Sequence, residues 1–417
     1  MSWLYRLGIG LYHSIIRLLA LLGKPKAKAW VEGRQLAIDW DKLDQVRSRG
    51  PVVWLHAASL GEFEQGRPVL DLIRQEMAGR VVIVLSFYSP SGFRPGQKYE
   101  GADLVTYLPA DGRSRARQWI QQLRPDLAIF VKYEFWHYHL LALTKAQVPT
   151  YLIAAAFRAD QFFFRPWGGW WRRILHRFQG ILLQTEADLD LLLQVGLAEN
   201  RLTVTGDPRI DRTLELANTN WSDPILEQFS QDDRPLLIAG SVWPPDIERL
   251  LKIWPEMRQQ WRLLLVPHQL EENELQTWAL AFKADRYSKL QPALELGGDV
   301  MILDTIGILS RCYRYGKLAY IGGGFGSGIH NSLEPMAYGL PVLFGPKIQK
   351  FAEAVRMAKV GGAKVIKSAE DLQQQLQWWS IEEEYALAQE QVQKFMQENK
   401  GASLRTWEVL CPVLQQD

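Results

Sequence analysis

The sequence predicts an α/β chain of two successive domains, each built on a parallel sheet covered by helices. From Val52 onward, short apolar runs of strand length alternate with helical stretches of ten or more residues, the pattern of a sheet buried on both faces. The alternation closes near residue 212 and starts again at Pro235 after a polar stretch, so one sheet ends before the next begins. A length of 417 residues accommodates two such domains.

Composition narrows the function classes. An apolar fraction of 47% beside 23% charged residues supports an ordinary large core. A formal charge of +2 argues against a general nucleic-acid binder. Cys312 and Cys411 form no metal or redox signature and fit a reducing compartment. Seventeen tryptophans favour contact with a lipid boundary or with sugar.

The amino terminus (1–34) is read as a membrane-associating segment. Arg6 and Arg17 interrupt the apolar stretch 3–22, so it is not a clean membrane span. Arg6, His13, Arg17 and Lys24 fall on one narrow helical face, whereas Leu4, Leu7, Leu11, Ile15, Leu18 and Leu22 line the opposite one. That spacing predicts an amphipathic helix lying in a membrane surface, with Lys24, Lys26 and Lys28 for anionic headgroups. A helix docked on the protein's own core is the alternative. A secretory signal is disfavoured by the charge inside the apolar region and by Pro25.

In the first domain (35–212) the apolar runs are 52–57, 81–86, 103–108, 126–131, 150–156, 180–185 and 201–206. Ligands of such sheets sit at the carboxyl ends of strands, which directs attention to the following loops. After the first run, Ser59 or Gly61 starts a helix and places Glu62 in its first turn. A carboxylate there can act as general base on a hydroxyl, although acidic residues also favour helix starts for dipole reasons alone. After the second run, Ser89, Ser91 and Gly92 offer hydroxyls and backbone donors to a sugar, or simply cap a helix. After the fourth, Glu134 is either a site carboxylate or the partner of Lys132 in a surface ion pair. Residues 157–178 interleave Arg158, Arg165, Arg172 and Arg173 with phenylalanines and tryptophans. A phosphorylated lipid would need both properties, and an amphipathic helix with a solvated basic face is the alternative.

The second domain (213–400) holds the densest stretch, Leu318–Pro346. A buried strand, five glycines within Gly322–Gly328, and Asn331-Ser332 ahead of Glu334-Pro335 read as a strand, a phosphate cradle and a helix start. Ser327 and Ile329 exclude the dinucleotide fingerprint, and no P-loop motif occurs. Ser241 ends one strand of this domain, His268 follows another, and Ile306-Gly307 sits in a polar turn. Asp39-Trp40-Asp41 precedes any strand and Asp188-Leu189-Asp190 lies in a helical stretch, so neither reads as a metal-chelating pair. No metal and no cofactor are expected. A final helix, 401–417, is expected to pack back on the first domain.

The run His330-Asn331-Ser332-Leu333-Glu334-Pro335, followed by Gly339-Leu340-Pro341-Val342 and Gly345-Pro346, resembles the donor site of the 3-deoxy-D-manno-octulosonic acid (Kdo) transferases. Ser59-x-Gly61-Glu62, Ser89-Pro90-Ser91-Gly92 and Glu134-x-Trp136 resemble further motifs of that family. The resemblance implies two Rossmann-like domains in the glycosyltransferase-B fold, a CMP-Kdo donor and a lipid A precursor as acceptor. It implies the cytoplasmic face of the bacterial inner membrane as the place of action, without nucleic acid as partner. It also implies Glu62 as catalytic base and Glu134 as a supporting carboxylate. Donor contacts would come from Ser241, His268, Ile306, Gly307, Gly323, Gly324, Gly326, His330, Asn331, Ser332, Glu334 and Lys350. The chain departs from the family pattern at Lys132, His137-Tyr138, Ile308 and Lys350. Another enzyme of this fold with a UDP-sugar donor, or a non-catalytic lipid-binding protein, would share the scaffold.

Overall fold

The structure is a computed structural model that describes residues 2–231, 233–291 and 298–415. It divides into two compact units, Met1–Asp211 with Gly401–Asp417, and Arg212–Lys400.

The first unit contains β1 (Val52–Ala57), β2 (Val82–Phe87), β3 (Leu104–Tyr107), β4 (Leu127–Val131), β5 (Thr150–Ala155), β6 (Gly180–Leu183) and β7 (Leu202–Val204). All seven fall on runs expected from the sequence. They form one sheet in the order β3-β2-β1-β4-β5-β6-β7, and every pairing is parallel. Alternate residues of β1 enter opposite cores, Val52 and Trp54 on one face and Val53 and Leu55 on the other. Both faces are therefore covered, which is why these strands read as unbroken apolar runs. The strand order reverses between β1 and β4, so the loops leaving these two strands diverge and open a crevice. Those loops carry Glu62 and Glu134.

The helix Ala402–Leu414 packs Trp407, Leu410 and Leu414 into the Val53 and Leu55 face. Each such apolar side chain contributes about 1.5–3 kcal/mol when fully buried. Asp211 ties down its start, accepting hydrogen bonds from the Gly401 and Ser403 amides at 2.6 Å each.

At the amino terminus, α1 (Ser2–Leu21) and α2 (Pro25–Gly33) form a helical pair. The stripe of α1 against the protein is Tyr5, Ile9, His13, Ile16 and Ala20. Tyr5 donates to Asp111 at 2.6 Å, and the His13 ring lies 3.1 Å from the Tyr88 hydroxyl. The leucine stripe faces outward, with Leu7 60% and Leu11 64% exposed. The leucines thus face away from the core, while the inner stripe mixes Ile9, Ile16 and Ala20 with Tyr5 and His13, and Arg6 and Arg17 are exposed as well.

The second unit holds β8 (Leu236–Val242), β9 (Arg262–Pro267), β10 (Asp285–Arg286), β11 (Val300–Ile302), β12 (Leu318–Ile321), β13 (Val342–Phe344) and β14 (Ala363–Val365), in the order β10-β11-β9-β8-β12-β13-β14. Its order reverses between β8 and β12, so Ser241 and the glycine-rich loop share that switch point. The stretch 213–233, expected as a polar connector, is mostly helical instead: Pro208–Asn218 and Pro224–Ser230 occupy it. The second helix is started by Asp223, whose side chain accepts from the Ile225 and Leu226 amides, and is held by buried Leu226 and Phe229.

Candidate active site

Ser59 is the N-cap of the helix Leu60–Glu76, so Glu62 stands in its first turn beyond β1. Its carboxylate accepts a hydrogen bond from the Ala58 amide at 2.5 Å. Gly61 is exposed, and a Cβ there would meet nothing within 4 Å, so packing gives no reason for the glycine. Gly92 is different. A Cβ on it would strike the Phe87 ring and approach the Ser59 backbone to 3.0 Å, so its role is to let the loop after β2 lie against the loop after β1. Ser89 and Ser91 engage each other, at 2.9 Å between hydroxyls.

Glu134 is buried, not on the surface beside Lys132. It accepts from the Trp136 indole at 2.6 Å and lies 3.0 Å from His56 Nε2. His56 is fully buried at the end of β1, with Nδ1 at 2.9–3.0 Å from the Ser86 hydroxyl and carbonyl of β2. Burial pulls the imidazole down to about 3, so it is neutral at physiological pH and cannot compensate a carboxylate. Accordingly burial pushes Glu134 up to about 7. Burial, and then the nearby Glu134 charge, push Glu62 up to about 7 as well, against the Ala58 hydrogen bond that favours its ionised form. Two carboxyl groups poised near neutral pH at a sheet's switch point are suited to proton transfer.

A cavity of about 560 Å³ opens beside Glu134, lined by Tyr5 and Ile9 of α1 and by Phe135, Arg158, Phe162 and Trp171. Arg158 is half-buried there and lies 3.3 Å from Asp160. Of the other basic candidates, Arg172 donates to the Phe163 and Arg165 carbonyls and thereby folds the aromatic turn, while Arg165 and Arg173 are exposed.

In the second unit, Ser241 sits at a bulge of β8 with φ +55°, a left-handed conformation that non-glycine residues adopt at a cost. Gly322 packs directly on it: a Cβ would come within 2.3 Å of the Ser241 carbonyl. Gly323 needs its φ of +89°, and a Cβ there would approach the Gly328 carbonyl to 2.5 Å. The loop's amides are largely directed inward. Gly326 and Gly328 donate to the Gly323 carbonyl, His330 to Gly322, and Gly323 to Asp246. The helix expected after Ser332 is a single turn, Leu333–Met336, and Asn331 ties it by donating to Glu334 at 3.0 Å and accepting from the Leu333 amide. Ser332 is fully buried, and its hydroxyl has no partner among the described residues. His330 stacks on His268 at 4.2 Å, which in turn stacks on Trp243 at 4.5 Å. The Trp243 indole donates to His330 Nε2 at 2.9 Å, and burial holds His330 down at about 4, so it accepts rather than carries charge. Ile306 is 89% exposed and Gly307 has φ +99°.

Residues 34–212 match the model of a family described as 3-deoxy-D-manno-octulosonic-acid transferase. The chain is 28% identical over 415 residues to a 3-deoxy-D-manno-octulosonic acid transferase of Chlamydophila psittaci, which covers 95% of both chains. It is 27% identical over 320 residues to a transferase of the same name from Aquifex aeolicus, covering 75% of this chain and 80% of that one. Over its first domain and along most of its length the chain is similar to Kdo transferases. It is a glycosyltransferase. Its fold is that of the glycosyltransferase-B class: a UDP-N-acetylglucosamine 2-epimerase from Neisseria meningitidis superposes with a TM-score of 0.62 at 15% identity, over 87% of this chain and all of that one.

Four residues are prominent in these sites that motif reading passed over. His56 and Trp136 were visible only as motif neighbours, and nothing in their spacing announced a shared contact with Glu134. Asp246 accepts from the Trp243 and Gly323 amides and from the Tyr320 hydroxyl, and so holds the glycine loop to the helix Pro244–Met257. Lys347 reaches the glycine loop, its ammonium donating to the Gly326 carbonyl, and it is exposed, as is Lys350. Among the described residues, no group of three or more His, Cys, Asp or Glu side chains is placed to hold a metal.

Proposed function

We propose that the chain transfers Kdo from CMP-Kdo to a lipid A precursor at the cytoplasmic face of the bacterial inner membrane, in lipopolysaccharide synthesis. The observation that carries this reading is the pair Glu62 and Glu134, both raised to about 7, the second lining an aromatic cavity bounded by Tyr5 and Ile9 of α1. Glu62 takes the proton of the acceptor hydroxyl while that oxygen attacks the anomeric carbon. The bond to the CMP phosphate breaks in the same displacement and the configuration inverts. The second unit holds the nucleotide, with Glu334 on the ribose and the 322–332 loop with His268 and His330 near the phosphate. Serines 59, 89 and 91 with Arg158 serve the acceptor. The outward leucine stripe of α1 enters the lipid surface, which its 19-residue apolar length also permits.

The reading is tested by transfer from CMP-Kdo to a lipid A precursor, with thermal melts in CMP and in UDP alongside. Transfer, and protection by CMP but not UDP, is expected, since a bound nucleotide raises stability by mass action. Protection by UDP alone would move the chain to another donor.

The carboxylate pair also sets a pH profile. Glu62 is a base only when ionised, so kcat rises with pH through a limb near 7 that belongs to the pair. Glu134→Gln removes the neighbouring negative charge and moves the residual limb to lower pH. A limb that stays put shows that burial alone sets Glu62. The same substitution acts on stability. A raised carboxyl favours the fold below its unfolded pKa and loses that advantage as pH rises through about 7. Glu134→Gln is therefore expected to raise Tm relative to wild type at pH 8 more than at pH 5.

A further inference from the structure

A second cavity, of about 740 Å³, lies in the first unit between the carboxyl half of α1, α2 and the segment that follows β3. Its polar wall is basic, with Arg17, Arg34 and Arg115, and its other wall is apolar, with Ala20, Leu21, Leu36 and Ile38. Glu32 also lines it and is 3.8 Å from Lys28. Among the described residues no carboxylate lies within salt-bridge distance of Arg17, Arg34 or Arg115.

Arg34 is the decisive member. Its guanidinium is half-buried, lies 3.6 Å from the centre of the Trp30 ring and 4.5 Å from that of Tyr88, and donates to the Tyr88 carbonyl at 2.7 Å. Its Nε has no partner among the described residues. Burial lowers its proton affinity to about 10, yet the group remains charged at neutral pH. A half-buried cation without a counterion carries part of the cost of desolvation, and one held beside an open cavity is placed for an anion. The three arginines converge: after burial, their fields hold the His13 imidazole down at about 4. Guanidinium groups clustered in this way match a phosphate, and the apolar wall continues directly into the exposed end of α1, where Leu21 and Leu22 are 85% and 67% exposed.

We propose that this cavity binds a lipid phosphate, with Arg17, Arg34 and Arg115 around the headgroup and an acyl chain along Leu21, Leu36 and Ile38. The lipid is either a bilayer phospholipid or the acceptor itself; the chemistry is the same. The site is separate from the cavity beside Glu134, and binding is read without any transfer reaction.

The test is calorimetric titration of the full-length protein in a nonionic detergent with dihexanoyl phosphatidic acid, dihexanoyl phosphatidylcholine and inorganic phosphate. Phosphatidic acid is expected to bind at least about tenfold more tightly than either, since one control lacks the net charge and the other the chains. Arg17→Gln and Arg115→Gln, both exposed and so compatible with folding, are expected to weaken it several-fold each, with melting temperatures unchanged. Equal affinity for phosphatidylcholine, equal affinity for inorganic phosphate, or unaltered binding in the double variant overturns the proposal. Displacement of phosphatidic acid by the lipid A precursor assigns the cavity to the acceptor. Simultaneous binding of the two assigns it to bilayer lipid, and either result retains the phosphate site.

Discussion

Glu62→Gln is expected to lower kcat for transfer by about 10²–10⁴-fold, the usual worth of a positioned general base. The amide keeps the shape of the carboxyl group, and the Ala58 amide still has an oxygen to donate to. What disappears is the ability to accept a proton from the attacking hydroxyl. Protection by CMP in a thermal melt is unchanged in the variant, because the nucleotide is assigned to the other unit. The comparison is therefore kcat from CMP-Kdo beside the CMP-dependent shift in Tm. A variant that retains more than about a tenth of wild-type kcat shows that another group takes the proton. Glu134 would then be the next carboxylate to replace.

Asp246→Ala is expected to cost about 3–5 kcal/mol, from three donors, two buried and one partly so, at about 1–3 kcal/mol each with partial recovery by relaxation. The donors are the Trp243 amide at 2.9 Å, the Gly323 amide at 3.0 Å and the Tyr320 hydroxyl at 2.6 Å. Urea denaturation reads the loss as a lower midpoint at an unchanged slope. Because one of those donors begins the glycine loop, CMP protection is expected to fall with it, even well below the melting transition. A cost under 1 kcal/mol would mean that the loop amides find other acceptors.

Much of the scaffold was legible because it is local. The seven runs from Val52 to Gly206 became the seven strands of the first sheet, with ends within two residues. Asp285–Arg286, Val300–Ile302 and Ala363–Val365 were not read as strands. The stretch after residue 212 looked like a connector since its apolar residues, Leu214, Leu216, Ile225, Leu226 and Phe229 among them, are few and scattered among polar ones. Glu62 was legible from its position one turn beyond a strand. The burial of Glu134 was not, because it depends on His56, 78 residues away, and on the way β1 and β4 sit side by side at the switch point. Lys350 illustrates the same limit. It stands in a family motif position, yet three residues earlier the loop turns Lys347 toward Gly326.

The outward leucines of α1 bear on how a substrate would arrive. Tyr5 and His13 of its inner stripe are tied to Asp111 and Tyr88, in the loops that leave β3 and β2, and Tyr88 stacks on Trp136 at 4.7 Å. With the leucines sunk by about 5–10 Å, as proposed and as is usual for interfacial helices, those loops stand at a set height above the acyl chains. A lipid acceptor then diffuses in two dimensions to the enzyme and is lifted only far enough to present its sugar, its tails never leaving the bilayer. Turnover on vesicles would depend on the surface density of the acceptor rather than its bulk concentration.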